Sequence, residues 1–482
     1  MIFRVLLSLF AFNCFAVSES SKPHVVLVMA DDQGWGQTGY RGHPHLKTPN
    51  INAMARNGLR FERFYAGSAV CSPTRASVLT GRNACRSGVP HHGYRIRLQE
   101  KFLPQAMKKM GYATGHFGKL HLSGIEGCGV PIMPGSTRFP SPEHLGFDTW
   151  LSSTNFFDID PILSRNGKIE EFKGDSSEII VAEALKFIAE QEKENRPSFS
   201  VIWYGSPHGP MEASSEDRAQ FEHLNDSYLA NHLGELVAMD RSIGQLRSGL
   251  RDLGIHENTL VWYNSDNGGL VKVDKHSVGD LRGYKNNLYE GGIRVPALIE
   301  WPANIPARIS HMPASTMDIF PTLMALLGGD EETMLKPLDG ESILGHLLGK
   351  SNERKQPIPF SHGGVTVLID GSWKLMLNRN NEHELYHLEK DPQEKNNVQE
   401  EYPEVVDRLA KGITAFSQSL EASVSGFDYA ENRLVSPDKK RIEWANVPEY
   451  MEYLKDYMGR EDIINRIAQV KRKDKKQRKQ NK

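Results

Sequence analysis

Beyond its first residues the sequence has no apolar run approaching the ~20 residues a helix needs to cross a bilayer, so the body of the chain is not a membrane span. Charge of one sign is missing as well: 58 Lys and Arg stand against 60 Asp and Glu, a formal net charge of -2. That balance gives the body no electrostatic reason to bind nucleic acid, and a small molecule or a glycan remains as the partner class. Cysteine is scarce, at four in 482 residues. One of the four, Cys14, falls in a segment that reads as a leader: Met1-Ile2-Phe3-Arg4, the apolar run Val5 to Val17 and a small-residue end at Ala16 or Ser18. Asn13 before Cys14 argues against a lipoprotein. Removal of residues 1–18 leaves Cys71, Cys85 and Cys128, an odd count that excludes full internal pairing in an oxidising compartment. The expected location is therefore exported, periplasmic or secreted, without a stable membrane anchor.

The chain is long enough for one large domain and a smaller companion. Short apolar runs at His24 to Ala30, Phe199 to Tyr204, Thr259 to Tyr263 and Val295 to Trp301 read as strands. Helical periodicity lies between them at Ser176 to Gln191 and Ser227 to Leu253. Strands spaced this way need crossover helices, which predicts an α/β fold with a large, mostly parallel or mixed central sheet sandwiched by helices over residues 22–350. Over 351–430 the segments shorten to Gly364 to Ile369, Trp373 to Leu377 and Glu384 to Leu388, followed by a helical stretch at Tyr402 to Phe416, which predicts a small antiparallel sheet with one packed helix. Residues 431–482 are polar, and Lys471 to Lys482 carries eight Lys or Arg in twelve residues, so this part reads as an extension with a disordered basic tail. No internal repeat is evident.

Ligands of open α/β sheets bind beyond the carboxyl ends of strands. Asp31-Asp32 follow the first strand, His208 follows the run ending at Tyr204, and Asp266-Asn267 follow the run ending at Tyr263. Asp31, Asp32, Asp266 and Asn267 offer only oxygen, the inventory that a hard cation such as calcium or magnesium selects. An Asp-Asp pair at a strand end serves equally as a cap or turn. Around Cys71, the run Cys71-Ser72-Pro73-Thr74-Arg75 to Gly81-Arg82 predicts a loop entering a helix near Ser72 and ending at Gly81. Cys71 then sits at a positive helix end with Arg75 one turn along. Its residue chemistry leaves three readings open: a low-pKa nucleophile, a buried structural thiol, or a site of modification.

The run C-S-P-T-R-A-S-V-L-T-G-R resembles the signature of the formylglycine-dependent (type I) sulfatases of the alkaline phosphatase superfamily. The resemblance extends through Thr48-Pro49-Asn50-Ile51, Gly111-Tyr112-Ala113-Thr114, Gly118-Lys119-Leu120-His121, Pro207-His208, Ser265 to Gly269, and Lys285 with Tyr289 to Pro296. Trp373-Lys374-Leu375, Glu384-Leu385-Tyr386 and Asp391-Pro392 resemble the family's carboxy-terminal subdomain. The resemblance implies a sulfatase acting on sulfate esters, with Cys71 oxidised by a separate maturation enzyme to formylglycine (3-oxoalanine). One hydroxyl of the hydrated aldehyde would attack sulfur and the other would drive release of sulfate. It further implies one Ca2+ held by Asp31, Asp32, Asp266, Asn267 and the modified Cys71, with Asp266 also able to take the attacking hydroxyl's proton. Arg75 would hold the formylglycine, Lys119 and Lys285 the sulfate oxygens, His208 would protonate the leaving alcohol and His121 would act as base. Leu120, where the family more often carries an aromatic, suggests an altered pocket wall, and Phe117 is likewise unusual. His91, His92, Tyr94, Arg95 and Arg97 are candidates for contact with a sulfated carbohydrate. The alternatives are a phosphonate or phosphate monoester hydrolase of the same superfamily and a catalytically silent sulfated-glycan-binding protein.

Overall fold

The computed structural model describes residues 22–127, 129–438 and 441–480. The leader and Cys128 lie outside the described residues, as do 439–440 and 481–482 in the basic tail. Ten strands cross the large sheet in the order Arg308–Ser310, Leu59–Tyr65, Arg294–Glu300, Thr259–Ser265, His24–Ala30, Ser198–Trp203, Ala113–Lys119, Thr149–Ser153, Ile162–Arg165 and Lys168–Glu171, and Ala314–Ser315 adds to Leu59–Tyr65. His24–Ala30 pairs in parallel with both neighbours, Val28 opposite Ile202 on one side and Tyr263 on the other. Arg294–Glu300 is antiparallel to both of its neighbours, so the sheet is mixed.

The His24–Ala30 strand shows why an unbroken apolar run belongs at the centre of such a sheet. Every residue of it is buried. Val25, Leu27 and Met29 enter one core, together with Ala76, Val78 and Leu79 of the helix Cys71–Thr80 and Ile319 and Phe320 of Ile319–Leu327. Val26, Val28 and Ala30 enter the other, against Ile180 and Ala184 of Ser176–Lys193 and Leu236, Met239 and Ile243 of Ser227–Asp252. The period-two alternation of strand side chains thus feeds two helical layers, and both faces must be apolar.

The smaller sheet is antiparallel, Ile358–His362, Val365–Asp370, Trp373–Leu377 and His383–His387 in sequential order. One face buries Leu368, Leu375 and Leu385 under Leu409 and Ile413 of the helix Pro403–Val424, and the other packs Phe360, Val367 and Met376 on the main body at Tyr65 and Ile293. Lys374 is fully buried between Glu394, 2.7 Å away, and Glu290, 3.1 Å away.

The part after residue 430, read from composition as a polar extension ending in a disordered basic tail, carries a strand and helices packed on the body. Ile442–Glu443 pairs in parallel with Ile125–Glu126, and the chain continues as helices Pro448–Tyr453 and Glu461–Gln480. Trp444, Val447, Tyr450, Leu454 and Ile463 are buried against Ile125, Val130, Phe139 and Ile162. Few apolar residues suffice when they recur on one helical face, and a polar average hides them.

Candidate active site

The candidate groups gather at one edge of the large sheet because every parallel strand there points the same way. Asp31 and Asp32 follow Ala30, Lys119 ends its strand and His121 is two residues on, His208 follows Trp203, and Asp266 and Asn267 follow Ser265. Leu59–Tyr65 runs in the same sense, and its carboxyl end leads through Ala66 to Val70 into the helix Cys71–Thr80. That helix opens with Val70 in extended conformation and closes at Gly81, whose left-handed φ of 70° favours glycine. Cys71 is 1% exposed and Arg75, one turn along, is fully buried.

Carboxylate oxygens of Asp31, Asp32 and Asp266 lie within 4.8 Å of one another, and a second grouping at the same spacing joins Asp31, Cys71 and His208. Cations surround them. Arg75 donates through Nη2 to Asp266 Oδ2 at 2.7 Å and through Nη1 to the Lys119 carbonyl at 3.1 Å. Lys119 pairs with Asp31, and Lys285 Nζ sits 2.7 Å from Asp32 Oδ2. Asn267 Nδ2 donates to Asp32 Oδ1 at 2.7 Å. Burial opposes ionisation of Asp31, but Lys119, His208, Arg75 and Lys285 outweigh it and hold its carboxyl well below the usual range. For Asp266, burial and the Asp31 carboxylate push the carboxyl up in spite of Arg75. Closely spaced acids whose ionisation is mutually unfavourable are a seat for further positive charge. Asp31 Oδ1 and Asn267 Oδ1, both buried, have no hydrogen-bond partner among the described residues. An all-oxygen donor set with two unpartnered oxygens fits a hard divalent cation.

Burial raises the Cys71 thiol to about 12, which opposes a ready thiolate and favours a structural or a modified cysteine. His121 is buried at a φ of 54°, with neither ring nitrogen partnered among the described residues, and burial followed by Lys119 and Arg75 holds it well below its usual range. His208 Nδ1 lies 2.8 Å from the Gly209 carbonyl, its ring stacks on Phe156 at 4.8 Å, and Nε2 is 3.8 Å from Asp32 Oδ2. Burial, and then Lys285, lowers it to about 4.

Cys71, His121, His208 and Lys285 face a cavity of ≈ 250 Å³. His92 also lines it, but the other residues picked out near the signature do not. Arg97 is held inside the protein by Asp438, with Nε and Nη2 each 2.7 Å from its carboxylate, and it donates to the Ser423 and Val424 carbonyls. Arg95 bonds Ser436, Tyr94 packs on the core, and His91 meets His362. Leu120 is fully buried in the apolar core and does not form the pocket wall, and Phe117 packs against Phe187. Asn155, Phe156, Asn286, Glu126, Gly127 and Arg466 line the cavity without having been singled out in the sequence. Asn155 and Phe156 follow the carboxyl end of Thr149–Ser153, so reading that strand would have found them.

The chain matches the Sulfatase family profile over residues 23–329. It is 32% identical over 397 residues to N-acetylgalactosamine-6-sulfatase of Canis lupus familiaris, covering 76% of this chain and 73% of that protein. Against arylsulfatase A of Homo sapiens identity is 31% over 467 residues, covering 84% and 89%. Among solved structures, that of Ps i-CgsB in complex with k-i-k-neocarrahexaose superposes with a TM-score of 0.74 at 24% identity, over 92% of this chain and 99% of that one. In that pair the likeness is one of fold.

Proposed function

The chain belongs to the sulfatase family and is a sulfuric ester hydrolase; from that premise we propose that it is exported and removes sulfate from a sulfated carbohydrate, using a formylglycine made from Cys71 and one calcium ion. The observation that carries this reading is the convergence of Asp31, Asp32, Asp266 and Asn267 from two strand ends beside Cys71 at a helix N-terminus. The carbohydrate is supported by the relative whose name specifies an N-acetylgalactosamine sulfate. Among the described residues no helix is long and apolar enough to cross a membrane.

When bound, calcium would supply positive charge beside the sulfate, and the hydrated aldehyde would supply the attacking hydroxyl. Asp31, Asp32, Asp266 and Asn267 would hold the ion with oxygens that now face one another and their cationic neighbours. Arg75, braced by Asp266 and the Lys119 carbonyl, fixes the first turn of the Cys71 helix against the acidic cluster. Lys119 and Lys285 bring ammonium groups to Asp31 and Asp32 of that cluster and are the donors for sulfate oxygens, where negative charge accumulates during transfer. His208 offers Nε2 to the leaving oxygen, since its Nδ1–H donates to the Gly209 carbonyl. His121, kept neutral by burial, is suited to accept a proton.

Mass spectrometry of the peptide containing Cys71, from protein produced with a formylglycine-generating system, tests the proposal. Aldehyde in place of thiol, with turnover of a sulfated saccharide that a calcium chelator abolishes, is the expected result. An unmodified thiol under conditions that convert a control sulfatase would sink it. Parallel rates on sulfate and phosphonate esters separate it from a phosphonate hydrolase.

A further inference from the structure

We propose that the segment after residue 440 completes the substrate cavity and that Arg466 reads a neutral, hydroxyl-rich sugar ring beside the scissile ester, an inference that rests on the sulfatase reading above. The segment lies outside the residues matched by the family profile, which end at 329. Arg466 nevertheless lines the same cavity as Cys71 and His208.

Its position is fixed from below. On the helix Glu461–Gln480, Ile463 and Val470 are 2% and 3% exposed, and Arg466 lies between them on the same face. Nη2 of Arg466 is 2.8 and 2.7 Å from the two Glu443 carboxylate oxygens, and Nη1 is 2.7 Å from Gln469 Oε1. Glu443 in turn is paired in register with Glu126, another lining residue. Gly127 makes this approach possible: its φ is 130°, and a Cβ there would stand 2.6 Å from Trp444 Cδ1 and 3.3 Å from Arg466 Nε. A guanidinium tied at two nitrogens keeps its plane and its remaining N–H groups, on Nε and Nη1, in place. Of these Nε is buried and has no partner among the described residues. Asn155, which lines the same cavity, has an Oδ1 that is likewise buried and unpartnered among the described residues, so the lining carries one unsatisfied donor and one unsatisfied acceptor.

Charge decides what they recognise. At this end Arg466 is compensated by Glu443, and Arg441 lies 2.8 Å from Glu126. Burial followed by Arg441 lowers His92 to about 4, so it is neutral. A second sulfate would find no uncompensated cation here among the described residues, whereas hydroxyl or acetamido groups find both donor and acceptor. The one anionic group falls to Lys119 and Lys285, which pair with the acidic cluster.

The test uses the full-length matured enzyme. Arg466→Ala and Arg466→Lys are compared with wild type on 4-nitrophenyl sulfate, on the fastest substrate from a panel of monosulfated hexoses and hexosamines, and on its disulfated counterpart, with melting temperatures measured in parallel. A lost charge-assisted hydrogen bond is worth roughly ten- to a hundredfold. We expect kcat/KM on the monosulfated sugar to fall at least about tenfold further than on the aryl ester, mainly through KM, with the lysine variant intermediate because it keeps the charge and loses the planar fork. Wild type should favour the monosulfated sugar. Equal losses on sugar and aryl ester, no loss on either, or a preference for the disulfated sugar would overturn the inference. If wild type turns over neither ester, the sulfatase reading itself has failed, which the aryl ester reports independently.

Discussion

Replacing His208 by Gln tests the proposed chemistry where leaving groups differ. The ring is held by contacts that cost little to lose: Nδ1 to the neighbouring Gly209 carbonyl, and a stack on Phe156, with the side chain 21% exposed. The change in folding free energy should stay within about 1 kcal/mol. Loss of a general acid costs on the order of 10²- to 10⁴-fold, roughly 2.7 to 5.4 kcal/mol of barrier. A sugar alkoxide is a poor leaving group and should suffer that full loss, while a nitrophenolate needs no proton and should lose roughly tenfold or less by the same reasoning. pH supplies a second signature. Burial and Lys285 hold His208 near 4 in the free protein, so the protonated, acid-competent form is depleted as pH rises above that value. Because kcat/KM follows ionisation of the free enzyme, it declines on the sugar ester as pH rises above the His208 value in wild type, and this limb disappears in the variant. The assay is kcat/KM from acid to neutral pH on both esters at saturating calcium. Equal losses on the two esters, or an unchanged pH limb in the variant, would refute the role given to His208.

Calcium should stabilise wild type by mass action, by about 2.7 kcal/mol at a hundredfold excess over Kd, and so raise its melting temperature; Asp31→Asn and Asp266→Asn should largely lose that rise in differential scanning fluorimetry, and a full rise in both would remove them from the ion site. Lys374→Met should destabilise by roughly 3 to 5 kcal/mol in urea titration, because it removes the cation shared by the buried Glu290 and Glu394 carboxylates and leaves Glu290 with the more distant Arg294, 3.6 Å away. Adding Glu394→Gln to that variant should recover part of the loss, and no recovery would mean that packing rather than charge dominates. Arg97→Ala should lower stability by about 1 to 3 kcal/mol through the orphaned Asp438 while leaving kcat/KM on a sugar sulfate within about twofold; a selective loss of kcat/KM would restore the substrate contact that the sequence suggested.

Which residues could be read from the sequence follows from what sets their positions. Asp31, Asp32, Asp266 and His208 were legible because each comes just after an apolar run, and the direction of a buried parallel strand alone decides which edge its next residues occupy. Gly81 was legible as the end of the Cys71 helix for an equally local reason. The strands Leu59–Tyr65 and Ala113–Lys119 do not stand out in the sequence, since LRFERFY and ATGHFGK mix charged, aromatic and glycine residues that cancel the apolar signal. Nor could periodicity tell that Arg294–Glu300 runs antiparallel to its neighbours. Arg97 was read as a substrate contact because a charge near a signature loop has no local partner, yet its partner Asp438 is 341 residues away. Arg466 is hidden in the sequence for the converse reason: a basic residue in a polar segment looks solvated, whereas Trp444, Tyr450 and Ile463 anchor that segment beside Glu126. The groups proposed for sulfur chemistry sit on strand ends, whose placement the whole sheet enforces, and they can stay fixed while the wall opposite changes. That wall is assembled by docking of a late segment onto Ile125 and Val130, where a few apolar contacts decide which side chains reach the cavity. Substrate choice can therefore vary among sheets of this kind without disturbing the carboxylates, which is why the Arg466 substitutions, and no change at Asp31 or Lys285, should separate sugar from aryl ester.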